Sequence, residues 1–249
     1  MEKVINKYYE IEIRNSLAII FIKEDVFKLL ISDDSELLFK DLQYLHNDLK
    51  IKALLFINTP ECFGEKVYDN FLRGLNLTID NTDYELPNFC NNTNRFRELN
   101  ILNRFISYLS KYNKLIFTVL SGGIVTPFFG AALATDIRYA TPEMHFSLAH
   151  NKYGLHPSGG LPYFLITQLG YNKAIELMLS EKVSSEEALE LGLINKIYPS
   201  ANVIESVIGD IEEITKYSSC TLRRTKQLSA YVRNSLYDYF TYEGTLLNL

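Results

Sequence analysis

Residues Leu115 to Gly160 read LIFTVLSGGIVTPFFGAALATDIRYATPEMHFSLAHNKYGLHPSGG. The uncharged run Leu115–Leu120, rich in β-branched and aromatic residues, predicts a buried strand that enters a Gly122-Gly123 turn. A helix is expected to open at Thr126-Pro127, with Thr126 as N-cap and Pro127 at the first helical position, where its missing N–H costs least. Such a strand–turn–helix order aims free backbone N–H groups at one spot, which suits a developing negative charge. Two short strands, IRYA and HFSL, follow Asp136 on either side of Thr141-Pro142, and a polar loop then carries the run His156-Pro157-Ser158-Gly159-Gly160.

Leu115–Thr135 carries no charge and is long enough to span a membrane, but Gly122, Gly123 and Pro127 interrupt it near the middle. A buried strand and helix of a soluble α/β core is therefore expected, with no membrane partner. The whole chain agrees: 249 residues, 47% hydrophobic and 22% charged, is ample for a large core. A formal net charge of -5 gives no footprint for nucleic acid. Cys62, Cys90 and Cys220 lie far apart, at neither metal nor redox spacing, which predicts no metal and fits a reducing cytoplasm. The N-terminal MEKVINKYYEIEI lacks the apolar core of a secretion signal.

Outward from the central stretch, Tyr8–Ile13 and Leu17–Ile22 predict a hairpin turning at Arg14-Asn15-Ser16. Leu38, Leu42, Leu45 and Leu49 recur at helical spacing, which predicts a helix over 35–50. Ile51–Asn58 is expected as a buried strand, TPECFGEKVYDNFLRG as a loop, and the Asn-, Asp- and Thr-rich stretch 75–94 as a mobile loop. Phe96, Leu99, Leu102, Phe105, Ile106 and Leu109 predict a long helix over 95–112. Beyond Gly160, helices are expected over 163–169, ending at Gly170, and over 173–180. Another opens at Ser184, with Glu187 completing a capping box, and stops at Gly192. A strand over 193–198 and helices over 201–217 and 219–242 complete the chain. Strands alternating with helices argue for parallel pairing with helical crossovers.

Three runs in this order, LSGGIVTPFFGAALATD, FSLAHNKYGLHPSGG and LMLSEKVSSEEALELGLINKIYP, resemble the crotonase superfamily, the enoyl-CoA hydratase/isomerase family. In the third run Ala188, Gly192, Leu193 and Ile194 take the places of the family's A-x-x-x-G-L-V pattern. The resemblance is clear over 113–200, and it implies an α/β spiral of ββα units over 1–198 with a C-terminal helical region over 199–249. It implies a homotrimer or a dimer of trimers, and an acyl-CoA or acyl-carrier-protein thioester as ligand. No cofactor is implied beyond coenzyme A as part of the substrate. Two backbone N–H groups are implied to hold the thioester oxygen as it becomes an enolate. Matching CFGEKVY to the family's F-S-A-G-A-D makes Glu65 one donor, through its N–H alone.

The remaining matches depart from the family pattern. Its Gly-Gly-Gly run falls on Thr126, Pro127 and Phe128, and the middle glycine, the second donor, becomes Pro127, which has no N–H. The N–H of Phe128 is the substitute. The two hydratase glutamates fall on Gly130 and His150, and the loop Gly and Asp on Lys66 and Tyr68. Hydration by paired carboxylates is therefore not expected. His150 is the candidate acid/base, the alternative being an interior histidine bonded to a carbonyl. Lys66 and Tyr68 are candidates for meeting a carboxylate-bearing or enolate ligand, the alternative being a solvated lysine and a packed aromatic. His156, Ser158 and Gly159 are expected to line the acyl pocket, and no His–Asp frame accompanies Ser158 to make it a nucleophile. The KYG-x-x-P-S-G-G stretch with Lys66 and Tyr68 also resembles crotonase-like decarboxylases of polyketide assembly. Two functions stay open: an enolate-forming thioester enzyme, hydratase/isomerase-like or decarboxylase-like, or a catalytically silent crotonase fold used for binding or assembly.

Overall fold

A computed structural model of the chain describes residues 3–23, 25–75 and 92–246. Ten strands and twelve α-helices are distinguished among them. The strands β1 (Lys3–Ile5), β2 (Tyr9–Arg14) and β3 (Leu17–Ile22) form an antiparallel ribbon. Its tight turn places Asn15 at φ 54°, a conformation that asparagine tolerates. The helices α1 (Val26–Ile31) and α2 (Asp34–Asn47) lead to β4 (Ala53–Asn58), which lies parallel to β3. Then come α3 (Glu65–Gly74), α4 (Thr93–Lys111), β5 (Leu115–Leu120), β6 (Gly123–Val125) and α5 (Thr126–Leu133). The next turn of the spiral is β7 (Ile137–Ala140), β8 (His145–Ser147) and the short α6 (Ala149–Lys152). It continues through α7 (Leu161–Leu169), α8 (Tyr171–Met178), β9 (Lys182–Ser184), α9 (Ser185–Glu190) and β10 (Lys196–Ile197). The helices α10 (Val203–Thr215), α11 (Ser219–Ala230) and α12 (Leu236–Leu246) close the described chain.

The main sheet runs β1-β2-β3-β4-β5-β7-β10, parallel from β3 onward, and β6-β8-β9 form a second, smaller sheet. The expected strands IRYA and HFSL therefore belong to different sheets: β7 extends the main sheet beside β5, and β8 pairs with β6. Each turn of the spiral, β5–β6–α5 and then β7–β8–α6, places one strand in each sheet before its helix. Alternate residues of the main sheet face two apolar layers. Ala18, Ile20, Leu54, Phe56 and Ile116 pack toward the α1–α5 side, whereas Ile19, Leu55, Phe117, Val119 and Tyr139 pack against Val207 and Ile211 of α10.

Several expected elements change. The loop expected over 59–74 ends in helix α3, because Tyr68, Leu72 and Leu75 fall on one face and are buried. The helix expected from Thr126 starts one position earlier: Val125 is the N-cap, and Pro127 stands at the second helical position. The long C-terminal helix breaks at 231–235, where a 3₁₀ turn (Tyr231–Arg233) swings Arg233 to donate to the Ala134 carbonyl at 2.7 Å. The strand expected over 193–198 shortens to Lys196–Ile197, its approach fixed by Arg138 Nε donating to the Leu193 carbonyl at 2.6 Å. The capping box forms as read, Ser184 Oγ accepting from the Glu187 N–H at 3.2 Å. Most of the stretch expected as a mobile loop, residues 76–91 with Cys90, lies outside the described residues.

Candidate active site

Two helices begin side by side where β4 and β5 end. Asn58 staples the two strand ends, donating to the Ser121 carbonyl at 2.8 Å and accepting the Ser121 N–H at 3.1 Å. Gly122, at φ 68°, then passes so close to Pro60 that a Cβ would lie 2.1 Å from its carbonyl oxygen; only glycine fits there. The Val125 N–H donates to the Phe63 carbonyl at 2.9 Å, which joins the N-cap residue of α5 to the residue before Gly64, the N-cap of α3. Neither cap uses a side chain. The first N–H groups of both helices therefore lack intrahelical acceptors and carry the positive end of each helix dipole. Pro127 removes one of these donors, leaving Phe128 the next along α5. The Phe63 and Phe128 rings stack between the two starts, 4.4 Å between centroids, over an apolar cavity of about 80 Å³ that Leu102, Phe105 and Ala131 also line.

His150 is buried, with Nδ1 2.9 Å from Thr126 Oγ1. Burial pushes its pKa down to about 4, against an opposing hydrogen bond to the Met178 carbonyl, so the ring is neutral near pH 7 and held by fold partners. His156 has Nδ1 3.1 Å from the Pro157 carbonyl; its buried Nε2 has no hydrogen-bond partner among the described residues. Lys66 is exposed on α3. Tyr68 is buried, stacked on Phe27 at 5.1 Å and hydrogen-bonded to Arg95, and burial raises its phenol to about 12. Ser158 is buried, and Gly159, at φ 70°, lies directly on α5: a Cβ there would sit 2.5 Å from the Pro127 carbonyl oxygen. At Gly130 a Cβ would fall 2.0 Å from the Gly159 carbonyl oxygen. The space that a side chain at position 130 would need is thus filled by the Gly159 backbone. Of these residues only Phe128 lines the apolar cavity.

Three carboxylates near these residues escaped the sequence reading. Glu98 pairs with Arg95 at 2.6 Å on α4, their side chains 0% and 2% exposed, and burial raises the Glu98 carboxyl against the pull of Arg95. Their signal was available, because 95, 98, 102, 106 and 109 share one helical stripe whose first two members are charged. Glu65 contributes more than an N–H: its carboxylate accepts from Ser147 Oγ at 2.6 Å and Lys152 Nζ at 3.1 Å, which hold it below the usual range. Glu243 of α12 accepts the Gly160 N–H at 3.1 Å and pins the turn over α5. Burial pushes it up to about 7. No sequence spacing links 243 to 160.

Among the described residues no group of three or more His, Cys, Asp or Glu is placed to hold a metal ion, and no helix is long and apolar enough to cross a membrane. Comparison with known proteins bears on this geometry. The profile of the enoyl-CoA hydratase/isomerase family matches residues 98–248. The probable enoyl-CoA hydratase EchA12 of Mycobacterium tuberculosis is 26% identical over 188 residues, which cover 70% of this chain and 66%, just under two thirds, of that protein. The crystal structure of enoyl-CoA hydratase from Bacillus anthracis superposes with a TM-score of 0.74 at 16% identity, covering 96% of this chain and 89% of that one. That of enoyl-CoA hydratase from Bacillus halodurans gives 0.73 at 21% identity, covering 97% and 92%. With a profile match over more than half its length and the spiral fold of these structures, the chain belongs to the enoyl-CoA hydratase/isomerase family of the crotonase superfamily.

Proposed function

We propose that the chain acts on an acyl thioester, coenzyme A- or carrier-bound, by holding its carbonyl oxygen as an enolate between the backbone N–H groups of Glu65 and Phe128. The observation that carries this reading is the joined start of α3 and α5, where the Val125 N–H meets the Phe63 carbonyl and two sets of helix N–H groups without intrahelical acceptors share one corner. Paired-glutamate hydration is not part of the proposal, because Gly130 lies against the Gly159 backbone and His150 is a neutral, bonded imidazole. Proton transfer, isomerisation or decarboxylation from the enolate are the chemistries that remain. The α-carbon proton is proposed to move to or from a group beside the corner, with His150, His156, Lys66 and Tyr68 as the residues to test. A homotrimer or hexamer in the cytoplasm belongs to the same proposal.

A second reading, a silent crotonase fold used for binding or assembly, is favoured by the Phe63–Phe128 stack in the corner and by Pro127. One experiment separates the two. The protein is mixed in D₂O with a panel of acyl-CoA and acyl-carrier thioesters, and α-proton exchange and product formation are followed by mass spectrometry beside thermal shift. Exchange or turnover with any member supports the enolate reading. Thermal stabilisation without exchange across the panel overturns it in favour of binding alone.

A further inference from the structure

At the opposite end of β5 from the candidate site, about 20 Å along the strand, a cavity of about 230 Å³, lined by polar and apolar side chains together, opens between α4 and the C-terminal helices. We infer that this cavity binds a small phosphate-class oxyanion, held by Ser107, Ser110 and Lys111 of α4 with Lys226, Arg233 and Asn234 of the C-terminal region. The inference is independent of the proposed enolate chemistry.

Three observations carry it. Firstly, the lining contains three cations and two serine hydroxyls but no carboxylate. Asp136, which lies beside the lining, is already engaged by Lys226 Nζ at 2.7 Å and by the Ile116 N–H at 2.7 Å. Secondly, donors remain over. Ser110 is 4% exposed, and its buried Oγ has no hydrogen-bond partner among the described residues. Arg233 donates from one terminal nitrogen to the Ala134 carbonyl, its one side-chain hydrogen bond among the described residues. Thirdly, the surrounding cations crowd one another. Lys114 stands at the start of β5 with its ammonium on the Leu45 and Asp48 carbonyls. Arg223 of α11 faces Lys114, and Arg233 faces both Lys226 and Arg138. From α2, His46 and Asp48 face the same group. Burial, then this mutual repulsion, lowers Lys114 to about 8 and Arg138 to about 10, and burial lowers Lys226 and Arg233 as well. Buried cations in excess of their carboxylates are costly, and an anion among them relieves that cost.

Size and donor chemistry narrow the ligand. The volume is below the ~300 Å³ at which pockets for drug-sized ligands begin, so a compact ion fits better than an extended one. Arginine, lysine and hydroxyl donors together match a phosphate, which accepts several charge-assisted hydrogen bonds at once. Phosphate reaches such a site either as the free ion or as the head of a small phosphomonoester. The two sources differ in whether the exposed rim of Tyr231 and Tyr237 adds affinity.

Isothermal titration calorimetry of the full chain tests this with inorganic phosphate, sulfate, succinate and a phosphomonoester such as phosphoethanolamine, at constant ionic strength in chloride. The expected result is one saturable phosphate event per chain. Its Kd should rise at least tenfold in K111M and in S110A, both of which remove groups without a hydrogen-bond partner among the described residues. A monoester that binds at least tenfold more tightly than phosphate, and loses that gain in Y237A, identifies the monoester as the source; equal affinities identify the free ion. Four results overturn the proposal: no saturable heat with phosphate, an unchanged Kd in both variants, a Kd for succinate tighter than for phosphate, or binding of more than one phosphate per chain with no effect of K111M.

Discussion

The helices that start at Glu65 and Thr126 begin within one hydrogen bond of each other, yet their first turns are built in opposite ways. The start of α3 is open: Gly64 caps it without a side chain, and the Glu65 side chain is 44% exposed while it reaches Ser147 and Lys152. The start of α5 is closed: all eight of its residues are buried, Pro127 has no N–H, and Gly159 rests on its backbone, in a turn whose Gly160 is tied to Glu243. Both carry the same kind of dipole. Accessibility separates them: the α3 end meets solvent and the α5 end is a closed wall, so under the proposed function a ligand oxygen would reach the α3 end first.

The most disruptive way to break this contrast is G130E, which puts a carboxylate on the closed face of α5. Its Cβ would enter the Gly159 carbonyl, so a loss of more than ~4 kcal/mol is expected, or ~10 °C in Tm, read by thermal and urea unfolding. A Tm within 2 °C of the parent would mean that the closed wall yields. R95M leaves Glu98 alone in the interior and should cost about 3–5 kcal/mol at pH 7, whereas R95M/E98L should recover most of it. E65P tests the open end directly. Proline is tolerated at the first helical position, and Gly64, at φ -76° and ψ 166°, already has the extended shape that suits the residue before a proline. Loss of that single N–H should slow α-proton exchange ~100- to 1000-fold, with Tm changed by only a few degrees. E65Q, which keeps the N–H, should lose less than tenfold.

Stability against pH sharpens the comparison, because its two buried titrating groups pull in opposite directions. The Glu243 carboxyl is raised in the folded state from 4.5 to about 7, so its stabilisation is full below pH 4.5 and disappears as pH rises to about 7. His150 is lowered from 6.5 to about 4, so its contribution is full above pH 6.5 and disappears as pH falls toward 4. Each is on the order of 3 kcal/mol at the limit. Urea midpoints of E243Q should therefore rise between pH 4.5 and 6.5 more steeply than those of the parent, and those of H150N should fall over pH 4.5–7. Parallel profiles for all three proteins would remove both assignments. The smallest effect is expected from T126V, which loses the 2.9 Å contact to His150 Nδ1: about 1 kcal/mol, or 2–4 °C in Tm.

Where one periodicity governs a stretch, the sequence was legible. The hairpin, β4, β5, the α4 stripe and the Ser184 cap all follow from local pattern, and three runs in order carried the family. Where two distant segments meet, the sequence was silent. Gly130 reads as an ordinary helical glycine until Gly159 is laid on it, and Glu243 reads as a surface residue until it takes the Gly160 N–H. His150 illustrates the same limit, since its residue type promises a titrating group near neutrality and its burial among Thr126 and Met178 makes it neutral there. Glu65 is the reverse case: its N–H came from the motif match, and the carboxylate's partners on β8 and α6 came from the fold.

By itself, the sequence determined the alternation of strands and crossover helices and the lack of an N–H at Pro127, because these depend on residue identity and on neighbours within a turn or two. Only the tertiary structure decided which helix start is open, which carboxylates are buried and which imidazole is neutral. Those properties arise from water exclusion and backbone contact between segments far apart in the chain, as Gly130 and Gly159 or Gly160 and Glu243 make plain.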